Sequence, residues 1–270
     1  MRQSPFIVIA AILLAAVCIS GCIGNPAQSG GDKTELTVFA AASLTEAMTD
    51  IKNDYETMHP DIRVTLNLDG SQALRTQIEQ GAYADVFLSA NTRHLYALRD
   101  QGLMENDTIG LFAKNRLAVI VPAANPGNIA SLEDLARPGI RLVIGTKDVP
   151  VGDYARQILD KMADDDAYGP SYREAVQNNV MSEETAVTHI VAKVQLGEAD
   201  AGIAYESDVS PRDRDTISMI PIPDTYNVIA EYPAGVLKCS GNRDEALHFI
   251  RYLQGEQGGE VLARYGFAKP

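Results

Sequence analysis

The sequence predicts an α/β fold, and three observations carry that prediction. Short apolar runs of strand type alternate with amphipathic helical stretches throughout residues 34–270. The junctions from strand to helix recur with small polar residues at the turn, as at Ser43 and Ser71. Beyond residue 22 the only cysteine is Cys239, so no internal disulfide is available and an ordinary apolar core must hold the fold. Roughly 240 residues remain once a cleavable leader is set aside, enough for one large domain or two moderate ones.

The chain opens with Met1 and the cation Arg2, then an unbroken apolar run of 14 residues, 6–19. A membrane span needs about 20 apolar residues. The shorter run fits the apolar centre of a secretory signal. It ends Ile19, Ser20, Gly21, Cys22, which resembles a lipoprotein signal box with Cys22 as the lipid-bearing residue. The alternative is a permanent helical anchor, and both place the rest of the chain outside the cytoplasmic membrane. Residues 1–21 are thus expected as a signal peptide. Residues 22–33, rich in Gly, Ser, Asn, Pro and Gln, are expected as a flexible tether.

A buried strand is expected at 36–41 (LTVFAA), then a helix to about 59, with Ser43 and Glu46 spaced as a capping box. Residues 62–68 (IRVTLNL) alternate as a strand. Asp69 and Gly70 make a tight turn, and Ser71 begins a helix through Gln80. A short strand follows at 85–88, then a helix at 93–101 stopped by Gly102. Further strands are expected at 116–122 and 141–145, with a helix start at Ser131 and a helix from about Asp153. Residues 184–196 read as a helix with Val187, Ile190, Val191 and Val194 on one face. Strands at 201–205, 217–221 and 228–237 precede a last helix at 243–265, with a break expected near 255–259.

Composition narrows the function. Removing residues 1–21 takes one cation and no acid, leaving 22 basic against 36 acidic side chains, a formal charge of −14. That balance argues against a nucleic-acid partner, which needs basic surface. It also means that any anion site must work locally. In open α/β sheets, ligands bind beyond the carboxyl ends of strands, where helix N-termini present free N–H groups. Several converging junctions of that kind would hold an anion without lysine or arginine.

Catalysis has little support. Gly70, Ser71 and Gln72 lack the second glycine of a nucleophile elbow. The histidines His59, His94, His189 and His248 fall on helices or helix ends without triad spacing, and no Cys/His cluster has metal-ligand spacing. Cys239 follows an apolar strand and is expected as a small buried hydrophobe.

The segments 37–47 (TVFAAASLTEA), 69–74 (DGSQAL), 77–90 (QIEQGAYADVFLSA), 149–155 (VPVGDYA) and 197–208 (GEADAGIAYESD) closely resemble the periplasmic molybdate-binding proteins. So do Tyr232, Pro233 and Ala234, and the C-terminal FIRYLQ and YGF. The resemblance spans nearly all of the chain past the tether. It implies a type II periplasmic-binding-protein fold, with two α/β domains flanking a ligand cleft and two hinge crossovers. One domain would comprise 34–115 with 232–270, the other 116–231. The function implied is that of a non-enzymatic receptor for an ABC importer, with an oxyanion ligand and a permease partner.

The resemblance also assigns ligand positions. Ser43 and Ser71 would each offer a hydroxyl and a backbone N–H, Val151 and Val187 a backbone N–H, and Tyr205 its phenol. Against these stand ordinary roles: a helix cap for Ser43, a core side chain for Val151, a structural hydrogen bond for Tyr205. Relatives that expand the metal's coordination place acids at the two valine positions, so valines there imply simple four-coordinate binding without direct protein coordination of the metal and without a cofactor. Asp69 departs from the family and is expected to face away or to bond turn amides. Glu184 is expected as a helix-start acid. A site of donors alone disfavours a protonated phosphate, whose O–H would find no acceptor, by about 1–3 kcal/mol. Sulfate is the nearest rival ligand, and molybdate and tungstate are not separated.

Overall fold

The computed structural model describes residues 33–210, 213 and 215–270. The predicted signal peptide, Cys22 and all of the tether except Lys33 lie outside the described residues. Among the described residues, ten strands make two five-stranded sheets. The first contains β1 (Thr34–Ala41), β2 (Ile62–Asp69), β3 (Val86–Leu88), β4 (Gly110–Asn115) and β10 (Ala230–Val236). Its order is β2-β1-β3-β10-β4, with β1 parallel to both β2 and β3, and β10 antiparallel to β3 and β4. The second contains β5 (Leu117–Pro122), β6 (Leu142–Gly145), β7 (Val180–Glu184), β8 (Ala201–Tyr205) and β9 (Ile217–Pro221) in the order β7-β6-β8-β5-β9.

The chain passes from the first sheet to the second between Asn115 and Leu117, and returns after β9 through 222–229. These are two crossovers between two lobes, and a side-chain amide ties them together. Asn227 Oδ1 accepts the Leu117 N–H at 3.1 Å, while its Nδ2 donates to the Leu117 carbonyl at 2.9 Å. Both partners are buried, so neither bond competes with water.

Helices cover both faces of the first sheet. On β1, Leu36, Val38 and Ala40 join the core built with α1 (Thr45–Met58), α7 (Arg243–Gln254) and α8 (Glu256–Arg264). Phe39, one residue out of phase, joins the opposite core with α2 (Ser71–Glu79) and α3 (Thr92–Asp100). This is the period-2 alternation of a strand between two layers. Tyr55 of α1 meets the edge of Phe249 of α7 at 4.9 Å, a contact worth about 0.5–1.5 kcal/mol beyond its buried area. In the second sheet the inner strands β5, β6 and β8 are almost wholly buried, while β7 and β9 form partly exposed edges. Helices α4 (Pro150–Ala163), α5 (Pro170–Asn178) and α6 (Val187–Gln195) pack on it.

Several expectations need correction. Ser43 does not cap α1. It sits inside a 3-10 turn, Ala42–Leu44, and α1 begins only at Thr45 with no side-chain cap. The helix expected from Ser131 is a single 3-10 turn, Glu133–Ala136, held by Asp134 accepting the amides of Ala130 and Ser131. Helix α4 starts at Pro150, whose fixed φ and missing N–H suit the first helical position. Glu184 closes strand β7 rather than opening a helix, and pairs with Lys193 at 2.5 Å. Cys239 is exposed. The C-terminal break falls at Gly255, between α7 and α8.

Candidate functional site

Four chain segments end at one point between the lobes. The 3-10 turn at Ala42–Leu44 follows β1, and α2 follows β2 after the single residue Gly70. From the other lobe come the starts of α4 and α6. None of α2, α4 and α6 has a side-chain cap, so the leading N–H groups of each remain as donors directed out along the axis, ahead of the Ala73 and His189 amides that bond back to the Gly70 and Ala186 carbonyls. In α4 the first residue is a proline, which makes the Val151 N–H the leading donor.

These ends border a small cavity lined by Ser43, Ser71, Val151, Val187 and Tyr205 together with small or apolar neighbours such as Ala42, Ala90 and Pro150. All five residues singled out in the sequence thus meet at one place. Among the described residues, no charged side chain lines it. It is far smaller than a drug-sized pocket of about 300–1,000 Å³, which leaves no room for an organic ligand of that size. Asp69 stays outside the lining, where its Oδ1 accepts the Gly70 N–H at 2.7 Å. Arg75 points to Glu79, 2.7 Å away on its own helix.

The hydroxyls are held in defined surroundings. Ser71 Oγ accepts the Ala90 N–H at 3.0 Å. Ser43 Oγ lies 2.9 Å from the Tyr232 hydroxyl. The Tyr205 side chain is 1% exposed, yet among the described residues its hydroxyl makes no hydrogen bond of ordinary geometry, although the Tyr232 hydroxyl is close enough to perturb it. Burial, reinforced by the neighbouring Tyr232 and Tyr154 rings, pushes this phenol well above its ordinary range, so it keeps its proton and remains a donor. A buried phenol without an acceptor costs about 1–3 kcal/mol. Few polar groups in a folded interior are left in that state.

Close backbone approach shapes the site. A Cβ on Gly152 would overlap the carbonyl oxygens of Gly145 and Thr146, so only glycine lets the first turn of α4 press against the end of β6. A Cβ on Gly70 would stand 2.5 Å from the Thr185 carbonyl of the other lobe. Hydrogen bonds tie the lobes around the cavity: Gln72 Nε2 donates to the Thr185 carbonyl at 2.7 Å, and His94 Nε2 lies 3.0 Å from the Asp148 carbonyl.

Sequence reasoning missed the surrounding shell. Tyr232 and Gln72 were visible only as parts of motifs, His94 only as a histidine on a helix, and Asn115 carried no signal. A buried aromatic that lies across the fold from its partner has no local pattern to reveal it.

The chain matches the model of the bacterial extracellular solute-binding proteins over residues 36–268. It is 34% identical over 266 residues to the molybdate-binding protein ModA of Mycobacterium tuberculosis, covering 96% of this chain and 97% of that one. It is 31% identical over 266 residues to a putative ABC transporter substrate-binding lipoprotein of Bacillus subtilis, covering 95% of each. Among solved structures, the substrate binding domain of a putative molybdenum ABC transporter from Clostridium difficile superposes with a TM-score of 0.66 at 29% identity, covering 88% of this chain and 100% of that one.

Proposed function

This chain belongs to the bacterial extracellular solute-binding protein family, and on that premise we propose that it is the substrate-binding receptor of an ABC importer for molybdate, taking tungstate as well. It is a binding protein and not an enzyme. The observation that carries the ligand is the cavity itself: uncapped helix starts, two serine hydroxyls and a buried phenol without an ordinary hydrogen bond meet in a small space that, among the described residues, no charged side chain lines. A tetrahedral dianion presents acceptors on every oxygen and no donor. Neutral converging dipoles stabilise it without a counter-ion.

The assignment of Ser43, Ser71 and Tyr205 as side-chain donors, and of Val151 and Val187 as backbone donors, belongs to this reading. Valine at both latter positions supports four-coordinate binding. The division into domain 34–115 with 232–270 and domain 116–231 is supported by the membership of the two sheets. The reading further takes Cys22 as lipidated, tethering the protein to the outer face of the cytoplasmic membrane beside its permease. The ending of the apolar run at Cys22 and the likeness to a relative described as a lipoprotein support that tether.

Titration calorimetry with molybdate, tungstate, sulfate and phosphate tests the function. Tight, comparable binding of the first two with weak or absent binding of the last two is expected. Sulfate binding as tightly as molybdate would sink the ligand assignment.

A further inference from the structure

We propose that Tyr232, which lies behind the cavity, fixes the direction of the Ser43 hydroxyl and so makes the site reject oxyanions that carry a proton. This rests on the oxyanion reading above and goes beyond it, to a residue that is not assigned to the ligand and to the rule by which the site discriminates.

Protons can be placed one after another along a buried chain of hydrogen bonds. The Arg116 backbone N–H can only donate, and it faces Asn115 Oδ1 at 2.9 Å. That fixes which end of the Asn115 amide is oxygen. The other end is therefore Nδ2, which donates to Ser207 Oγ at 2.7 Å and to the Tyr232 hydroxyl oxygen at 3.4 Å. Asn115 is 1% and Tyr232 0% exposed, so water does not compete for either. With Asn115 donating to it, Tyr232 places its own proton on its remaining partner, Ser43 Oγ at 2.9 Å. Burial holds this phenol far above its ordinary range, so the proton is always present. Ser43 then accepts from behind, and its own proton turns to the cavity it lines.

Ser71 is set the same way by a different donor, since the Ala90 N–H at 3.0 Å can only give. Both serines therefore face the cavity as donors. The reverse orientation at Ser43 would have it donate to Tyr232 and present a lone pair to the ligand. Asn115 already donates to Tyr232, so the phenol proton would have only the nearby Tyr205 hydroxyl to turn to, with which Tyr205 makes no hydrogen bond of ordinary geometry. A serine that accepts from behind keeps one proton and one lone pair, and hydrogen phosphate can reach the lone pair only by turning that proton aside, so it is served better by the reversed serine. A fully deprotonated oxyanion such as molybdate needs the orientation the chain enforces.

The test is a double-mutant cycle on the full protein at about pH 8, where molybdate and phosphate are both mainly dianions and overall charge cancels. Molybdate and phosphate affinities are measured for wild type, Tyr232→Phe, Ser43→Ala and the double variant, with circular dichroism and apo melting to verify folding. Tyr232→Phe should weaken molybdate roughly 5- to 20-fold, in line with a buried hydrogen bond, and should narrow the molybdate-to-phosphate preference by about tenfold. In the Ser43→Ala background the same change should alter molybdate affinity less than about twofold, because the hydroxyl it steers is gone. An equal loss in both backgrounds means that Tyr232 only packs the wall, and overturns the inference while leaving the function standing. An unchanged preference for molybdate over phosphate in a folded Tyr232→Phe variant also overturns it. Wild-type protein that binds no oxyanion overturns both.

Discussion

The Gln72 side-chain amide reaches across the cleft to the Thr185 carbonyl, 2.7 Å away, one residue beyond Ser71 on one lobe and two before Val187 on the other. The bond therefore joins the starts of α2 and α6, two of the helix ends that line the cavity. Anything that holds those ends together also gathers the proposed ligand donors.

Closure should accordingly be sensitive to this contact. Gln72→Ala removes one hydrogen bond worth about 1 kcal/mol to the closed arrangement, so molybdate affinity should fall by roughly fivefold. Gly70→Ala should cost more, because its Cβ would stand 2.5 Å from the Thr185 oxygen and the lobes could not approach. Calorimetry on both variants orders the effects. Gly70→Ala binding as tightly as wild type would contradict the account of closure.

Tyr205 should show opposite effects on binding and folding. Among the described residues its buried hydroxyl makes no hydrogen bond of ordinary geometry, so Tyr205→Phe should leave apo stability unchanged or raise it by about 1 kcal/mol. Molybdate affinity should nonetheless drop by about 10- to 100-fold, the value of a charge-assisted hydrogen bond. Chemical denaturation of the apo protein alongside ligand titration separates the two. A destabilised apo variant with intact binding would reverse the assignment.

Asp208 predicts a pH dependence. It accepts the Tyr205 N–H at 2.8 Å. Although the residue is only partly buried, its carboxyl is enclosed enough that burial pushes it up from 3.8 to about 8. A folded state that holds its proton more tightly than the unfolded chain gains stability below the unfolded value and loses it as pH rises. This contribution is thus complete below about pH 4 and gone near pH 8. Asp208→Asn keeps an acceptor for Tyr205 and should flatten that decline. Melting curves across pH 4–8 that are equally steep for both proteins would count against it.

His94 acts with the opposite sign. Burial, aided by nearby Arg93, pushes it down from 6.5 to about 4, so the folded protein keeps it neutral where the unfolded chain would take up a proton. Its stabilising contribution is complete above pH 6.5 and is lost as pH falls toward 4. The neutral ring donates from Nε2 to the Asp148 carbonyl of the facing lobe. His94→Gln should remove the acid-side decline, measured by denaturation at pH 4.5 and pH 7, and a variant as acid-sensitive as wild type would contradict the role.

Much of the fold was legible because its inner elements repeat simple patterns. Leu36, Val38 and Phe39 announce a strand covered on both faces, and Ala47, Met48, Ile51 and Tyr55 announce one helix face. The edge strands β4 and β7 escaped because their partly exposed sequences, GLFAKN and VMSEE, show no sustained apolar period. Helix α5 escaped because only Tyr172 and Val176 bury. Residues of the site were legible as motifs, but the environment of each was not. Ser43 reads locally as a cap, whereas its hydroxyl partner, Tyr232, lies 189 residues away. No local spacing announces such a pairing, and the 3-10 turn that frees Ser43 from capping follows from tertiary packing.

The central claim is a neutral cavity that surrounds a tetrahedral oxyanion with hydrogen-bond donors and never coordinates its metal. X-ray absorption at the molybdenum edge of the loaded protein tests this most directly. The account predicts four oxygen neighbours and the spectrum of tetrahedral molybdate. Six neighbours, or any ligand atom supplied by the protein, would contradict it.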